Sequence, residues 1–275
     1  MVRTAVIQMV SGADVDANLA DAGRLLADAA RDGARLAALP EFFPLIAEND
    51  QAKLAIREPF GRGPVQDFLS AAARRHGLWL IGGTIPIDSG DPEHVYNACL
   101  LFDDRGACVA RYDKIHLFDV QVDAAGGEQY RESATLKPGN AVVTAATPFG
   151  RLGLSVCYDL RFPELYRKLL EEDIVMISAP SAFTETTGRV HWDMLLRARA
   201  VENLCYMIAP AQGGRHNARR TTWGHSMIVD PWGEVLCSVE SGPGFACANL
   251  DFERLHGLRR TFPALSHRRL RVARA

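Results

Sequence analysis

The sequence predicts a layered α/β fold in which a mixed set of strands is covered by helices. Three observations predict it. Strand-like apolar runs outnumber helical stripes. Some runs are joined through helices and others through tight turn signals, so parallel and antiparallel neighbours are both expected. Over 275 positions, 48% apolar against 23% charged residues is the balance of a globular chain with ample core. One domain spanning residues 1–275 accounts for this length, with about 251–275 as a C-terminal helix and tail that could serve as a dimer arm.

The elements follow in order. Residues 4–9 read as a buried strand. Val15, Leu19, Ala22, Leu26 and Ala29 form a helical stripe that closes at Gly33, with Asp14 or Asp16 as cap. Residues 35–39 are a strand ending at Pro40-Glu41. Residues 64–76 are a helix with proline at its first position and Gly77 just past its end. Residues 78–85 read as one apolar strand. Residues 98–102 and 108–112 flank Asp103-Asp104-Arg105-Gly106, a hairpin signal. The stretch 117–140 lacks periodicity and reads as a long surface excursion, a kind of segment that usually carries function. Strands at 141–146 and 152–157 precede a helix at 163–172. A strand at 175–179, a helix at 191–203 and a strand at 205–209 follow. Residues 225–229 and 234–239 flank Asp230-Pro231-Trp232-Gly233, and a last strand at 245–250 leads into a short basic helix.

Charge and cysteine content narrow the function. Lys plus Arg total 31 against 33 acidic residues, a net charge of −2, so no global field draws the chain to nucleic acid or anionic lipid. The basic tail SHRRLRVARA has no interleaved aromatics and reads as a solvated end or dimer arm. The first residues, MVRTAVIQMV, read as a strand and not a leader, and no apolar run is long enough to span a bilayer. A soluble cytoplasmic protein is expected. The six cysteines include no C-x-x-C pair, so neither a zinc site nor a dithiol redox motif is expected.

Three segments could carry chemistry. In RLGLSVCYDLRFPEL (151–165), Cys157 lies at a strand end just before a helix, a junction where ligands bind and where helix N–H groups favour a thiolate. Ser155 is the rival nucleophile, but Val156 and Cys157 read as continuing the strand, without the elbow that a serine needs. In LPEFFP (39–44), Glu41 sits between prolines and phenylalanines, partly stripped of water, where a carboxylate suits general-base work. In RYDKIHLFD (111–119), Lys114 follows a strand and could fix positive charge beside a thiol or an oxyanion. In isolation it reads more readily as a solvated strand-end lysine. His116 is a further base for Cys157, although a lone histidine in an apolar run is usually a packed one.

Together these segments resemble the nitrilase superfamily of carbon–nitrogen hydrolases, with Glu41, Lys114 and Cys157 in the order and spacing of its triad. PSAF (180–183), HWDMLLRARAVEN (191–203) and WGHSMIVDPWGEVL (223–236) extend the likeness to nearly the whole chain. The family's second glutamate falls best on Glu132 in YRES, with Glu128 as the alternative. KIHLFDV and AQGGRH are similar to the Nit branch, whose members include deaminated glutathione amidase and ω-amidase. The resemblance implies a four-layer αββα sandwich that pairs into a homodimer or higher homo-oligomer. It implies a small-molecule amide substrate and a cysteine nucleophile amidase without cofactor or metal. The oxyanion would lie between Lys114 and the backbone N–H of Tyr158. Arg215, Phe183 and His191 are the candidates for substrate binding, with Arg161 and Arg189 as further arginines that could hold a substrate carboxylate. Nitrile or N-carbamoyl hydrolysis, and a non-catalytic scaffold, are the rival readings.

Overall fold

The computed structural model describes residues 1–122 and 128–270. Arg271 and Arg274 of the basic tail lie outside the described residues. The chain opens with β1 (Val2–Gln8), α1 (Val15–Arg31), β2 (Leu36–Ala38), the single turn α2 (Ala52–Ala55), α3 (Pro64–His76) and β3 (Trp79–Ile81). Three hairpin-linked strands follow, β4 (Ile85–Asp91), β5 (His94–Phe102) and β6 (Cys108–Asp113), then a ribbon of β7 (Asp119–Val122) and β8 (Glu128–Arg131). A second βα series comprises β9 (Thr144–Thr147), β10 (Gly150–Leu154), α4 (Pro163–Leu169), β11 (Met176–Ser178), α5 (Glu185–Asn203) and β12 (Tyr206–Ala209). The chain closes with the ribbon β13 (Gly213–Arg215) and β14 (Thr221–Trp223), then β15 (Ser226–Val229), β16 (Val235–Val239), β17 (Gly244–Leu250) and α6 (Phe252–Thr261).

Among the described residues the first sheet has the order β17-β1-β2-β3-β5-β4, with β6 also on β5. The second has the order β16-β15-β12-β11-β10-β9. Each is parallel at its centre, with β1, β2 and β3 in one and β10, β11 and β12 in the other, and antiparallel at its margins. Strand alternation explains the layers. Val6, Leu36, Ala38, Cys99 and Leu101 point into one core with Leu152, Leu154, Met176 and Ile208 of the second sheet. Their neighbours Ala5, Ile7, Ala37, Leu100 and Phe102 face the other way, onto Leu25, Leu26, Leu69 and Ala73 of α1 and α3. Trp192, Leu196 and Ala200 of α5 cover the far face of the second sheet. The result is the four-layer αββα sandwich.

Several boundaries differ from the sequence reading for definite reasons. The apolar run 78–85 is two strands, parted at Gly82-Gly83. Gly83 has φ +60°, and a Cβ there would sit 2.2 Å from the Pro40 carbonyl oxygen, so backbone must pass backbone closely behind the Glu41 turn. The helix expected from His191 begins at Glu185, because the Thr184 side chain accepts the Thr187 N–H and caps it there. The excursion 117–140 holds the β7–β8 ribbon and a 3₁₀ turn at Glu132–Ala134. The strand expected to reach Cys157 stops at Leu154, and Cys157 has φ +48°.

Candidate active site

Glu41, Lys114 and Cys157 follow the ends of β2, β6 and β10, and the fold brings them into one cleft. Leu39 N–H donates to Ile81 O at 2.9 Å, extending the β2–β3 pairing up to the Pro40-Glu41 turn. From there Glu41, 1% exposed, directs Oε1 at two donors, Lys114 Nζ (2.9 Å) and Asn97 Nδ2 of β5 (2.9 Å). Gln212 Nε2 holds the Glu41 carbonyl at 3.2 Å, and the Phe42 N–H donates to Thr84 Oγ1. The turn is therefore fixed on both sides.

Lys114 is fully buried. Its Nζ also donates to Glu132, at 3.0 Å to Oε1 and 2.8 Å to Oε2, and the Phe118 N–H donates to Glu132 Oε2 at 2.8 Å. One ammonium thus bridges two carboxylates. Burial on its own would lower the Lys114 pKa, but Glu132, Glu41 and Cys157 outweigh it and raise it, so the charge is locked in. The side chain of Glu128, the alternative second glutamate, lies outside the described residues.

Cys157 opens a 3₁₀ turn, Cys157–Arg161, in place of the continuing strand. Its left-handed φ is the strained elbow that the sequence reading denied to this segment. The elbow belongs to the cysteine. Ser155 is wholly buried and donates to Ser178 O at 2.7 Å beside Tyr166 Oη, so it serves the core. Burial raises the Cys157 thiol pKa well above its usual value. Glu41 and Glu132 add to this, while Lys114 and the Ala182 N–H oppose it. The resting sulfur is therefore a neutral thiol. The Cys157 N–H is committed to Pro180 O at 3.0 Å, whereas the Tyr158 N–H takes no acceptor among the described residues.

A second buried carboxylate ties these segments together. Asp159 accepts Tyr112 Oη (2.7 Å) and the Val156 N–H (2.8 Å) on one oxygen, and His116 Nδ1 (2.6 Å) and the His116 N–H on the other. His116 also stacks on Phe162 at 3.7 Å between ring centroids. It is a packed strut and not a base for Cys157. Asp159 and Asn97 carry no local signal beyond a polar residue in an apolar run, and the sequence reading missed both.

The cleft measures about 530 Å³, part of it open to solvent, a size suited to a small molecule. Phe118, Tyr158, Phe183 and Arg161 wall it beside Glu41, Glu132 and Cys157. Of the three substrate-binding candidates, Phe183 is on this wall. His191 stands behind the wall, its Nδ1 3.2 Å from Arg161 Nη1. Arg215 is exposed, bonds Asn217 O and does not line the cleft. Arg189 is also exposed and pairs with Glu185. Lys53, Arg131 and Arg220 line the cleft instead. Among the described residues no cluster of His, Cys, Asp or Glu is spaced to hold a metal, and no helix is long and apolar enough to cross a membrane.

Known proteins place this geometry. The chain is 42% identical to the deaminated glutathione amidase of Homo sapiens over 96% of its length and 81% of that protein's. It is 41% identical to the Yersinia enterocolitica protein of the same name, over 97% and 93%. Saccharomyces cerevisiae Nit3, a member of branch 10 of the nitrilase superfamily, superposes with a TM-score of 0.87 at 30% identity, over 98% of this chain and 97% of that one. The carbon–nitrogen hydrolase profile matches residues 3–260. On sequence and architecture alike, the chain belongs to the carbon–nitrogen hydrolase family.

Proposed function

We propose that this enzyme is an amidase that cleaves the primary carboxamide of a small carboxylate-bearing substrate to acid and ammonia, most like deaminated glutathione amidase. The observation that carries the reading is the Lys114 ammonium shared by Glu41 and Glu132 beside the Cys157 thiol in one cleft.

Because the thiol rests protonated, attack requires its proton to leave as the sulfur–carbon bond forms. Glu41 accepts that proton, and the carbonyl electron pair moves onto oxygen. The oxyanion lies between the Lys114 ammonium and the Tyr158 N–H, and such a donor is worth about 10²–10³ in rate. Glu41 then passes its proton to the nitrogen, the C–N bond breaks and ammonia leaves a thioester on Cys157. Glu41 next takes a proton from water as it attacks the thioester carbonyl. The C–S bond breaks, the proton returns to sulfur and the acid departs. Glu132 holds Lys114 in place throughout.

The test is hydrolysis of a panel, read as ammonia release from α-ketoglutaramate, succinamate, a carbamoyl amino acid and a simple nitrile and as Cys-Gly release from deaminated glutathione, whose amides are peptide bonds, with intact-mass detection of the acyl adduct. The expected result is turnover of an amide, an adduct on Cys157 and none in Cys157→Ala. Turnover confined to the nitrile or the carbamoyl compound would overturn the substrate class, and full activity in Cys157→Ala would overturn the nucleophile.

A homodimer or higher homo-oligomer belongs to the same reading. Val190, Met194 and Val201 fall on one face of α5 and are exposed, as are Trp232 and Phe262. Met194→Glu should lower the mass measured by light scattering if that face is buried between copies. A reducing cytoplasmic setting fits six cysteines that all remain free thiols.

A further inference from the structure

The cleft that holds Cys157 is also lined by a pair of cations that the mechanism does not use. Lys53, on α2, and Arg220, just before β14, both approach the Phe42 ring, with Nζ 5.2 Å and Cζ 5.5 Å from its centroid. Phe42 is the residue after Glu41 and is held at φ +54°. The cations are therefore anchored one residue from the proton acceptor. Phe42, Asp50, Lys53 and Arg220 also line an adjoining hollow of about 250 Å³, so they divide the reaction cleft from the space beyond it.

The charges here are poorly balanced. Lys53 has a side chain only 12% exposed, and its carboxylate partner Asp50 is 3.3 Å away and mostly in solvent. Burial lowers the Lys53 pKa and Arg220 pushes the same way, against Asp50 and Glu132. Arg220 has no ion pair among the described residues, and its Nε is buried without an acceptor. A buried donor on a cation is costly to leave unmade, so this one is explained if a ligand completes it. Glu41 and Glu132 hydrogen-bond Lys114, and among the described residues neither bonds Lys53 or Arg220.

We propose that Lys53 and Arg220, both against the Phe42 ring, form a carboxylate subsite for the far end of the substrate. The preferred substrate is then an elongated amide whose remote carboxylate lies over Phe42 while its carboxamide reaches Cys157. This rests on the amidase reading and deepens it by naming what the cleft recognises beyond the reacting bond.

The experiment compares an ω-amide carrying a remote carboxylate with its methyl ester, by steady-state ammonia release. In parallel, calorimetry measures binding of both to Cys157→Ala, which does not depend on turnover. The unaltered protein should prefer the carboxylate by about 10–100-fold in kcat/KM, the range of one or two charge-assisted hydrogen bonds. Arg220→Gln and Lys53→Met should each lower that preference toward one, with the loss in KM and in calorimetric affinity. Arg220→Lys should keep part of the preference. Asp50→Asn, which removes the competing acid at an exposed position, should increase it. Equal losses on acid and ester in Arg220→Gln, or a weaker preference in Asp50→Asn, would overturn the subsite. If the unaltered protein releases ammonia without preferring the acid, the subsite fails and the amidase reading stands. If Cys157→Ala binds the acid selectively and the unaltered protein releases no ammonia, the amidase reading fails and the subsite stands.

Discussion

Lys114 and its two carboxylates depend on one another for burial. Lys114→Met would leave Glu41 and Glu132 facing each other without the ammonium, and removing one partner of a buried ion pair costs roughly 3–5 kcal/mol. A drop of that size in urea stability, together with loss of turnover, is the expected result. Glu41→Gln preserves the shape of the group that meets Asn97 and Lys114 but cannot accept the thiol proton. It should lower kcat by about 10²–10⁴ in single-turnover assays. The trio was readable because its order and spacing resemble the superfamily's triad; a strand-end position alone left each of the three open to a plain structural reading. Asp159 and Asn97 were not, since their partners, His116 and Tyr112 for one and Glu41 for the other, come from distant segments. Arg220 was not among the candidate arginines for a similar reason. The polar loop 215–220 offers three arginines, and only the fold decides which turns inward.

At the scale of elements, legibility follows punctuation. Helix α3 matches the sequence reading at both ends because Pro64 fixes its first turn and Gly77 closes it in the left-handed conformation. The β7–β8 and β13–β14 ribbons were missed because short polar strands lack an apolar period. The start of α5 was missed because Gly188 looks like a breaker. In the structure a Cβ there would lie 2.3 Å from Trp223 Cβ, so the glycine lets the helix touch β14. The Gly82-Gly83 link makes the same kind of demand behind Pro40. Gly83→Ala combines left-handed backbone with a blocked approach, and should displace the Glu41 turn and lower both thermal stability and kcat. Thermal melts and steady-state assays of that variant check it. Next to β14, His216 bonds Ser11 O and Thr222 Oγ1, and burial lowers its pKa to about 4. The unfolded chain, titrating near 6.5, binds this proton first as pH falls. Stability should decline from about pH 6.5 down to about pH 4, by up to about 3 kcal/mol, and His216→Gln should flatten that limb in urea titrations.

Over the whole molecule the opposite limb comes from thiols. Burial pushes Cys205 and Cys247 up to about 12 and Cys237 to about 11, and raises Cys157 and Cys99 as well. The unfolded chain sheds these protons near pH 9 while the fold retains them, so stability should fall as pH rises above about 9. Denaturation midpoints across pH 5–10 should therefore trace a plateau between two declining arms. One further consequence comes from the sandwich itself. Glu41 and Lys114 ride on the first sheet, Cys157 rides on the second, and the apolar seam between them, with the Asp159 and Gln212 hydrogen bonds that cross it, sets their alignment. Hydrolysis is in effect a gauge of how squarely two slabs are stacked. Trimming Leu101 to alanine, far from any ligand, should let them slip, and a shift of even 1 Å costs a reaction of this kind about 100-fold.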